Sequence, residues 1–236
     1  MNFYQELSRY YDEIFAVDDA EMRFIATLLE ARDDILDIGC GTGNKTVLLS
    51  ESARVIGVDA DAGMIGKAKS DNARPGIEYG VLDMADLEKR FEPASFDAAV
   101  CLGNTLVHLT APEAIQALCG AVRRLLKPGG LFICQILNYD RILDNAVSEL
   151  PIIDTPNTRF SRFYTRQDDI LLFRTELFIK ATGEKLANET PLYALRPGAL
   201  DAMLDKAGFS RRERYGSYEG GPFVKDSFVL IMVAVV

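Results

Sequence analysis

The stretch Ile35-Leu36-Asp37-Ile38-Gly39-Cys40-Gly41-Thr42-Gly43-Asn44 decides the fold of this chain. An apolar segment carries one acid and runs into three glycines that alternate with other residues. A strand followed by a glycine turn and a helix start lets the backbone pass close to a ligand with its bare amides directed outward. The stretch therefore predicts a nucleotide-type cofactor site, whereas an ordinary tight strand–helix connection is the alternative at this point.

The glycine spacing distinguishes two kinds of cofactor site. A dinucleotide-binding fold uses G-x-G-x-x-G, but Asn44 stands where the third glycine would be, one residue after Gly43. The pattern D-x-G-x-G-x-G instead resembles motif I of the class I S-adenosylmethionine-dependent methyltransferases. This resemblance implies a Rossmann-like fold and S-adenosylmethionine as cofactor. The candidate cofactor-binding residues of the motif are Asp37, Gly39, Cys40, Gly41 and Gly43.

The rest of the chain contains the strands and helices that such a fold needs. Apolar runs predict strands at 35–38, 54–58, 77–82, 96–102 and 131–137, with helical segments between them. Ordered βα repeats with right-handed crossovers form a parallel sheet with helices on both faces. With the resemblance, which extends over residues 35–137, this predicts an α/β fold: a doubly wound, mostly parallel seven-stranded sheet with a small antiparallel insertion.

We expect four segments along the chain. Two helices, 2–15 and 21–31, precede the first strand, and strand-like runs at 160–165, 170–179 and 186–195 predict the insertion. The leading helices either cover the sheet or close over the cofactor, with Tyr10, Tyr11 and Asp12 as candidate contacts. The segments are an N-terminal helical segment (1–31), a cofactor-binding methyltransferase core (32–150), an antiparallel insertion over the active site (151–195), and a C-terminal helix with closing strands (196–236).

Further candidate cofactor residues follow the second, third and fourth strands. Asp59 lies 20 positions beyond Gly39 at a strand tip, where a carboxylate can accept hydrogen bonds from both hydroxyls of a ribose; a surface aspartate is the alternative. The resemblance implies that Asp83 binds the adenine amino group and that the Met84 amide reaches a ring nitrogen. Met64 either lines the adenine or packs in the core. The remaining candidates beside these strand ends are Ala60, Leu102 and Gly103.

Two short segments resemble the glycine and sarcosine N-methyltransferase group. They are Cys101-Leu102-Gly103-Asn104-Thr105, with His108-Leu109 close behind, and Asn138-Tyr139-Asp140-Arg141-Ile142-Leu143. The resemblance implies an amine or amino acid nitrogen as methyl acceptor and places Asn138 at the acceptor. It does not align a carboxylate-binding arginine, so three insertion arginines are candidates for that role or for ordinary surface positions: Arg159, Arg162 and Arg174.

Methyl transfer from a sulfonium is an in-line displacement, so alignment and exclusion of water can provide most of the acceleration. The oxygen of Asn104 or Asn138 can orient the lone pair of an amine. His108, the only imidazole in the chain, is a candidate base, with a packing or cofactor-contact role as the alternative. The candidate catalytic residues are therefore Asn104, His108 and Asn138.

Composition limits the class of partner. The formal net charge of −9 disfavours a broad nucleic-acid surface, and no apolar run is long enough for a membrane span. The amino terminus lacks the pattern of a signal peptide, so we expect a cytoplasmic protein with a small-molecule acceptor.

The four cysteines and the one histidine are not spaced as pairs of metal ligands. This spacing predicts no metal site and four reduced, buried thiols. The oligomeric state stays open, as do two alternative functions: an NAD(P)-dependent oxidoreductase and a non-catalytic S-adenosylmethionine-binding regulatory module.

Overall fold

The computed structural model describes residues 3–236, except for the side chains at positions 4 and 5. The first predicted helix therefore has its first residue, Asn2, outside the described residues. Two 3₁₀ helices, Met84–Lys89 and Leu106–His108, supplement the α-helices. The α-helices are α1 (Phe3–Ile14), α2 (Asp19–Leu28), α3 (Asn44–Leu49), α4 (Ala62–Asp71), α5 (Pro112–Leu125), α6 (Tyr139–Asp144) and α7 (Pro197–Ala207).

Eleven strands in the described residues form two sheets. Seven of them belong to the main sheet and four to the insertion. The strands are β1 (Asp34–Ile38), β2 (Arg54–Asp59), β3 (Ile77–Val81), β4 (Phe96–Cys101), β5 (Leu126–Leu137), β6 (Glu149–Asp154), β7 (Thr158–Gln167), β8 (Ile170–Ile179), β9 (Glu184–Tyr193), β10 (Arg211–Tyr215) and β11 (Val229–Val235).

The main sheet has the order β10-β11-β5-β4-β1-β2-β3, with β11 antiparallel to both of its neighbours and the other pairs parallel. This confirms the predicted fold class. The order reverses between β4 and β1, and ligands of such sheets bind in the crevice at the carboxyl ends of the strands beside this reversal. On β1, Leu36 and Ile38 pack in the core layer of α5 and α7, whereas Ile35 packs in the layer of α2.

The insertion is an antiparallel sheet with the order β6-β7-β8-β9. The three predicted runs correspond to β7, β8 and β9. The short strand β6 was not predicted, and it begins at Glu149, two residues before the expected start of the insertion. Its pairing with β7 is irregular between Leu150 and Ile153, around Pro151. A proline in a short run disguises an edge strand in sequence.

Two strands of the main sheet also differ from the prediction. The edge strand β10 lies within the predicted closing segment (196–236), but its position was not located in the sequence. Its residues, Arg-Arg-Glu-Arg-Tyr, are almost wholly charged, a composition that protects sheet edges from further pairing. Strand β5 begins at Leu126 rather than at 131, because the turn containing Gly129, at φ +75°, forms an irregularity in its pairing with β4.

Helix α1 links the insertion to the main sheet. Its apolar face packs against the inner face of the insertion, where Phe3, Leu7 and Ile14 share a buried cluster with Phe160 and Leu177. No described helix has both the length and the apolar content needed to cross a membrane. The cytoplasmic location stays a prediction. All four cysteines are free and buried, as expected.

Candidate active site

A cavity of about 900 Å³ lies at the carboxyl ends of β1, β2 and β4, between the main sheet, α1 and the insertion. It collects most of the residues expected at the site, from segments far apart in sequence. Among the expected residues, Gly43, Asp83 and Asn138 do not line it. Those that do are Asp37, Gly39, Cys40, Gly41, Asp59, Ala60, Met64, Met84, Leu102, Gly103, Asn104 and His108.

The three motif glycines have positive φ angles but different surroundings. A Cβ atom at Gly39 would lie 2.2 Å from Thr105 Cγ2, and one at Gly43 would lie 2.4 Å from the Tyr79 hydroxyl. The atoms nearest to a Cβ at Gly41 would belong to the Tyr11 side chain, at 3.5 to 3.6 Å. Gly39 and Gly43 are therefore required by packing, whereas Gly41 leaves space in the cavity that a ligand can use.

Asp59 holds the glycine turn in place from the tip of β2. Its carboxylate accepts hydrogen bonds from the amides of Gly41 at 3.0 Å and Asp61 at 2.9 Å, one on each oxygen. Burial raises the pKa of Asp59, and these two amide contacts oppose the rise. Because each carboxylate oxygen has two acceptor positions, one on each remains for a ligand hydroxyl.

Asp37 is a buried acid beneath the turn. It accepts a hydrogen bond from Thr46 Oγ1 at 2.6 Å, and burial raises its pKa to about 6. The Thr46 hydroxyl and the charge of Lys45 limit this rise. Asp37 therefore lines the cavity as an acid that titrates within two units of neutral pH.

Two expected contacts have other partners in the structure. The Asp83 carboxylate caps the 3₁₀ helix that follows β3, accepting from the Ala85 amide at 2.8 Å, whereas Leu82 and Met84 on either side line the cavity. The cap uses one carboxylate oxygen of Asp83, so the assignment of this side chain to adenine stays a prediction. The assignment of Met84 stays a prediction.

Asn138 also departs from the expected role. Its side chain caps α6 by accepting from the Arg141 amide at 3.2 Å and donates to the carbonyls of Lys225 and Ser227, both at 2.9 Å. It is almost fully buried. This amide fastens the end of β5 to the segment before β11, so the structure corrects the expectation that Asn138 contacts the acceptor.

Asn104 occupies the loop after β4 with a left-handed backbone, at φ +66°. Its side chain is fixed at both ends, because Oδ1 accepts from the Leu137 amide at 3.0 Å and Nδ2 donates to the Tyr139 hydroxyl at 3.1 Å. Gln135 supports the same loop by accepting from the Gly103 amide at 2.8 Å and itself lines the cavity. Sequence reasoning missed Gln135, although it is the one polar residue in the apolar run 131–137.

His108 stands at the mouth of the cavity. The residue is exposed to solvent, but the protein around its imidazole desolvates the ring and lowers its pKa, an effect that the charge of Asp59 opposes. Desolvation therefore favours the neutral imidazole, which lies on the side of the cavity where Asp59 stands. Its catalytic role stays a prediction.

The N-terminal helices close over the glycine turn. Thr42 Oγ1 donates to the Asp12 carboxylate, and the Asn44 side chain donates to the Phe15 carbonyl at 3.2 Å. Lys45 forms an ion pair of 2.5 Å with Glu21 of α2. Of the three candidate contacts in α1, Tyr11 lines the cavity.

The insertion supplies the opposite wall, and it separates the three candidate arginines. Arg162 lines the cavity. Arg159 instead forms an ion pair with Asp154 at 3.0 Å, and Arg174 pairs with Glu176 at the surface. Of the three, Arg162 alone can therefore reach a ligand in the cavity.

Known proteins resemble this chain in sequence and in fold. The glycine/sarcosine/dimethylglycine N-methyltransferase of Actinopolyspora halophila is 26% identical over 218 residues, which are 85% of this chain and 36% of that protein. The chain spans less than half the length of this and of two other curated relatives.

Two solved structures share the whole fold. The S-adenosylmethionine-dependent methyltransferase from Clostridium acetobutylicum has a TM-score of 0.80 at 20% identity, covering 100% of this chain and 99% of that chain. The sugar N-methyltransferase KedS8 from Streptoalloteichus has a TM-score of 0.74 at 20% identity, covering 99% and 92%. Residues 35–130 also match the methyltransferase domain family, which confirms the predicted resemblance of this part of the chain to the class I S-adenosylmethionine-dependent methyltransferases.

Proposed function

We propose that the protein transfers the methyl group of S-adenosylmethionine to a nitrogen atom of a small molecule. The observation that carries the proposal is the two-sided cavity, with the glycine turn and Asp59 on one wall and the insertion on the other. Two of the proteins described above are named as N-methyltransferases, one of glycine, sarcosine and dimethylglycine and one of a sugar. Their acceptors differ, and nitrogen is the acceptor atom that their names share.

The residues of the main sheet fit the cofactor. The amides of Gly39, Cys40, Gly41 and Gly43 already donate within the protein, so the turn offers a ligand space at Gly41 rather than bare amides. Asp59 keeps acceptor positions for ribose hydroxyls, and Met64 offers an apolar contact for adenine. Asp37 can bind the ammonium group at the methionine end of the cofactor. S-Adenosylmethionine supplies a methyl group on a positively charged sulfur with a neutral thioether as leaving group.

The protein accelerates the reaction by positioning the two reactants rather than by transferring a proton. Asn104 is held by Tyr139 and Leu137, so its amide presents a fixed orientation to an amine in the cavity. Helix α1 and the insertion line the cavity, a position from which they can limit the access of water. Alignment of the two reactants and removal of water are sufficient to accelerate an in-line displacement. The acceptor nitrogen must be unprotonated when it reacts.

The proposal is tested by calorimetry and turnover on the purified protein. We expect saturable binding of S-adenosylhomocysteine in calorimetry. In the turnover assay, we expect S-adenosylmethionine to be converted into S-adenosylhomocysteine in the presence of at least one compound from a panel of amines, amino acids and amino sugars. Gly41→Val is the control, since its side chain would fill the cofactor space. Absence of cofactor binding would refute the proposal.

The assay also separates the alternatives. A regulatory module would bind the cofactor without turnover of any compound in the panel. Binding of NAD with hydride transfer would indicate an oxidoreductase, which the glycine spacing disfavours because Asn44 stands at the third position of the dinucleotide fingerprint.

A further inference from the structure

A polar cluster of three residues lines the cavity where α2, the start of α3 and the loop between β10 and β11 meet. Each segment supplies one member of the cluster, and the three are Glu21, Lys45 and Tyr218. Because Tyr218 is more than 170 residues from Lys45 in the chain, no local sequence pattern contains the cluster. Its position at the cavity makes it a candidate for ligand binding.

Glu21 holds the other two members of the cluster. Its carboxylate forms an ion pair of 2.5 Å with Lys45 Nζ and accepts a hydrogen bond from the Tyr218 hydroxyl. Burial raises the pKa of Tyr218, and the charge of Glu21 raises it further, so the hydroxyl stays a donor. Glu21 is only 5% exposed. A side chain held by such supporting contacts has a fixed position, so the Lys45 ammonium is fixed at the cavity wall.

The Lys45 ammonium keeps donors that the protein does not use. An ammonium group has three N–H donors, and Glu21 is the one hydrogen-bond partner of Lys45 Nζ among residues 3–236. The Lys45 side chain is 22% exposed and lines the cavity. Its remaining donors are therefore available to an anionic group of a ligand.

The charge of Lys45 also acts on the acid of the glycine motif. Asp37 lines the same cavity, and it forms no ion pair in the part of the chain that the structure describes. The Lys45 charge is close enough to limit the rise in the pKa of Asp37. A zwitterionic group beside these two residues would meet a cation for its carboxylate and an anion for its ammonium.

We propose that Lys45 binds the carboxylate at the methionine end of the cofactor, and that Glu21 and Tyr218 position its ammonium for this contact. The inference rests on the proposed function, in which Asp37 binds the cofactor ammonium. Charges then alternate from Glu21 through Lys45 and the two cofactor groups to Asp37, so each charge has an opposite neighbour. Lys45 thereby makes the site selective for a cofactor that carries its carboxylate over the decarboxylated form.

The test compares two ligands in calorimetry on the full chain. They are S-adenosylhomocysteine and its decarboxylated analogue, which keeps the adenosine, the thioether and the ammonium group. The wild type should bind S-adenosylhomocysteine about tenfold more tightly or better, because a charge-assisted contact is made only by the carboxylate. In Lys45→Met the Kd for S-adenosylhomocysteine should rise by about the same factor, whereas the Kd for the analogue should not rise.

Two further variants separate binding from folding. Lys45→Met leaves the buried Glu21 carboxylate without its counterion, a change that destabilises proteins. The double variant Glu21→Gln/Lys45→Met removes both charges and keeps an acceptor for Tyr218, so it should unfold in urea like the wild type and lose the same preference. The matched control Lys67→Met, on α4 and paired with Asp71 at 2.6 Å, should leave both Kd values unchanged.

Three results would overturn the inference: equal Kd values for the two ligands in the wild type, an equal loss for both ligands in the double variant, or the same Kd for S-adenosylhomocysteine in the double variant and in Lys67→Met. None of these measurements requires methyl transfer. Preference for the carboxylate without turnover would refute the proposed function alone, and turnover with equal Kd values would refute this role of Lys45 alone. Absence of binding of either ligand would refute both.

Discussion

Alanine substitutions at two motif glycines should separate folding from cofactor binding. Gly41→Ala places a Cβ at ordinary contact distance from Tyr11, so its cost is mainly that of a left-handed backbone, about 1 to 2 kcal/mol. Gly39→Ala has the same backbone cost and adds a Cβ 2.2 Å from Thr105 Cγ2. Thr105 cannot turn away freely because its hydroxyl donates to the Leu102 carbonyl at 2.8 Å. Overpacking of this kind adds about 1 to 3 kcal/mol.

Gly41→Ala should also weaken cofactor binding directly. The methyl group of Gly41→Ala occupies space that the ligand needs, and a similar overpacking cost of about 1 to 3 kcal/mol weakens S-adenosylhomocysteine binding by roughly 5- to 150-fold. Urea unfolding and calorimetry measure the two effects. The matched control is Gly183→Ala, in the β8–β9 turn, where φ is +72° and no atom lies within 4 Å of the new Cβ.

Two outcomes would refute this reasoning. One is cofactor affinity in Gly41→Ala equal to that of Gly183→Ala, which would remove Gly41 from the cofactor path. The other is a Gly39→Ala protein no less stable than Gly183→Ala, which would mean that Thr105 yields without cost.

Three further predictions concern titratable residues of the cavity. Asp59→Ala should weaken S-adenosylhomocysteine binding by about 2 to 4 kcal/mol in calorimetry, through loss of two charge-assisted hydrogen bonds; unchanged affinity would remove Asp59 from the ribose site. Because burial raises the pKa of Asp37 to about 6 from 3.8, the wild-type free energy of unfolding should fall by up to about 3 kcal/mol as pH rises through this range. Asp37→Asn should lose that pH dependence in urea titrations; retention of it would contradict the assignment. His108→Gln should lower kcat by much less than the roughly 100-fold expected for loss of a general base, and a larger loss would make His108 catalytic.

The cofactor half of the site could be predicted because its determinants are local. The strand, the turn and the helix start from Ile35 to Asn44 are contiguous, and Asp59 needs only the end of the next strand to be placed. The Asn138 expectation failed because its partners, the carbonyls of Lys225 and Ser227, are 87 and 89 residues away. No local pattern contains such contacts.

The wall of the cavity formed by the insertion, where we propose that the acceptor binds, could be predicted less well, for a related reason. Which arginine faces the cavity depends on the face of β7, and both faces of that strand carry aromatic residues: Phe160 and Tyr164 on one, Phe163 on the other. Alternation in sequence therefore does not reveal the inner face. The pairing of β7 with β8 and the packing of α1 against Phe160 determine it.

Different interactions limit which residues can occupy the two walls of the cavity. In the turn, Gly39 and Gly43 have no room for a side chain, so the cofactor site and the backbone depend on the same residues. On the insertion, the β7–β8–β9 ladder is made by backbone groups, and inward-facing residues such as Arg162 and Thr175 can change without altering that pairing. Proteins at about 20% identity can therefore share this whole fold. Under the proposed function, we therefore expect the inner face of the insertion, where Arg162 and Thr175 line the cavity, to determine which acceptor binds.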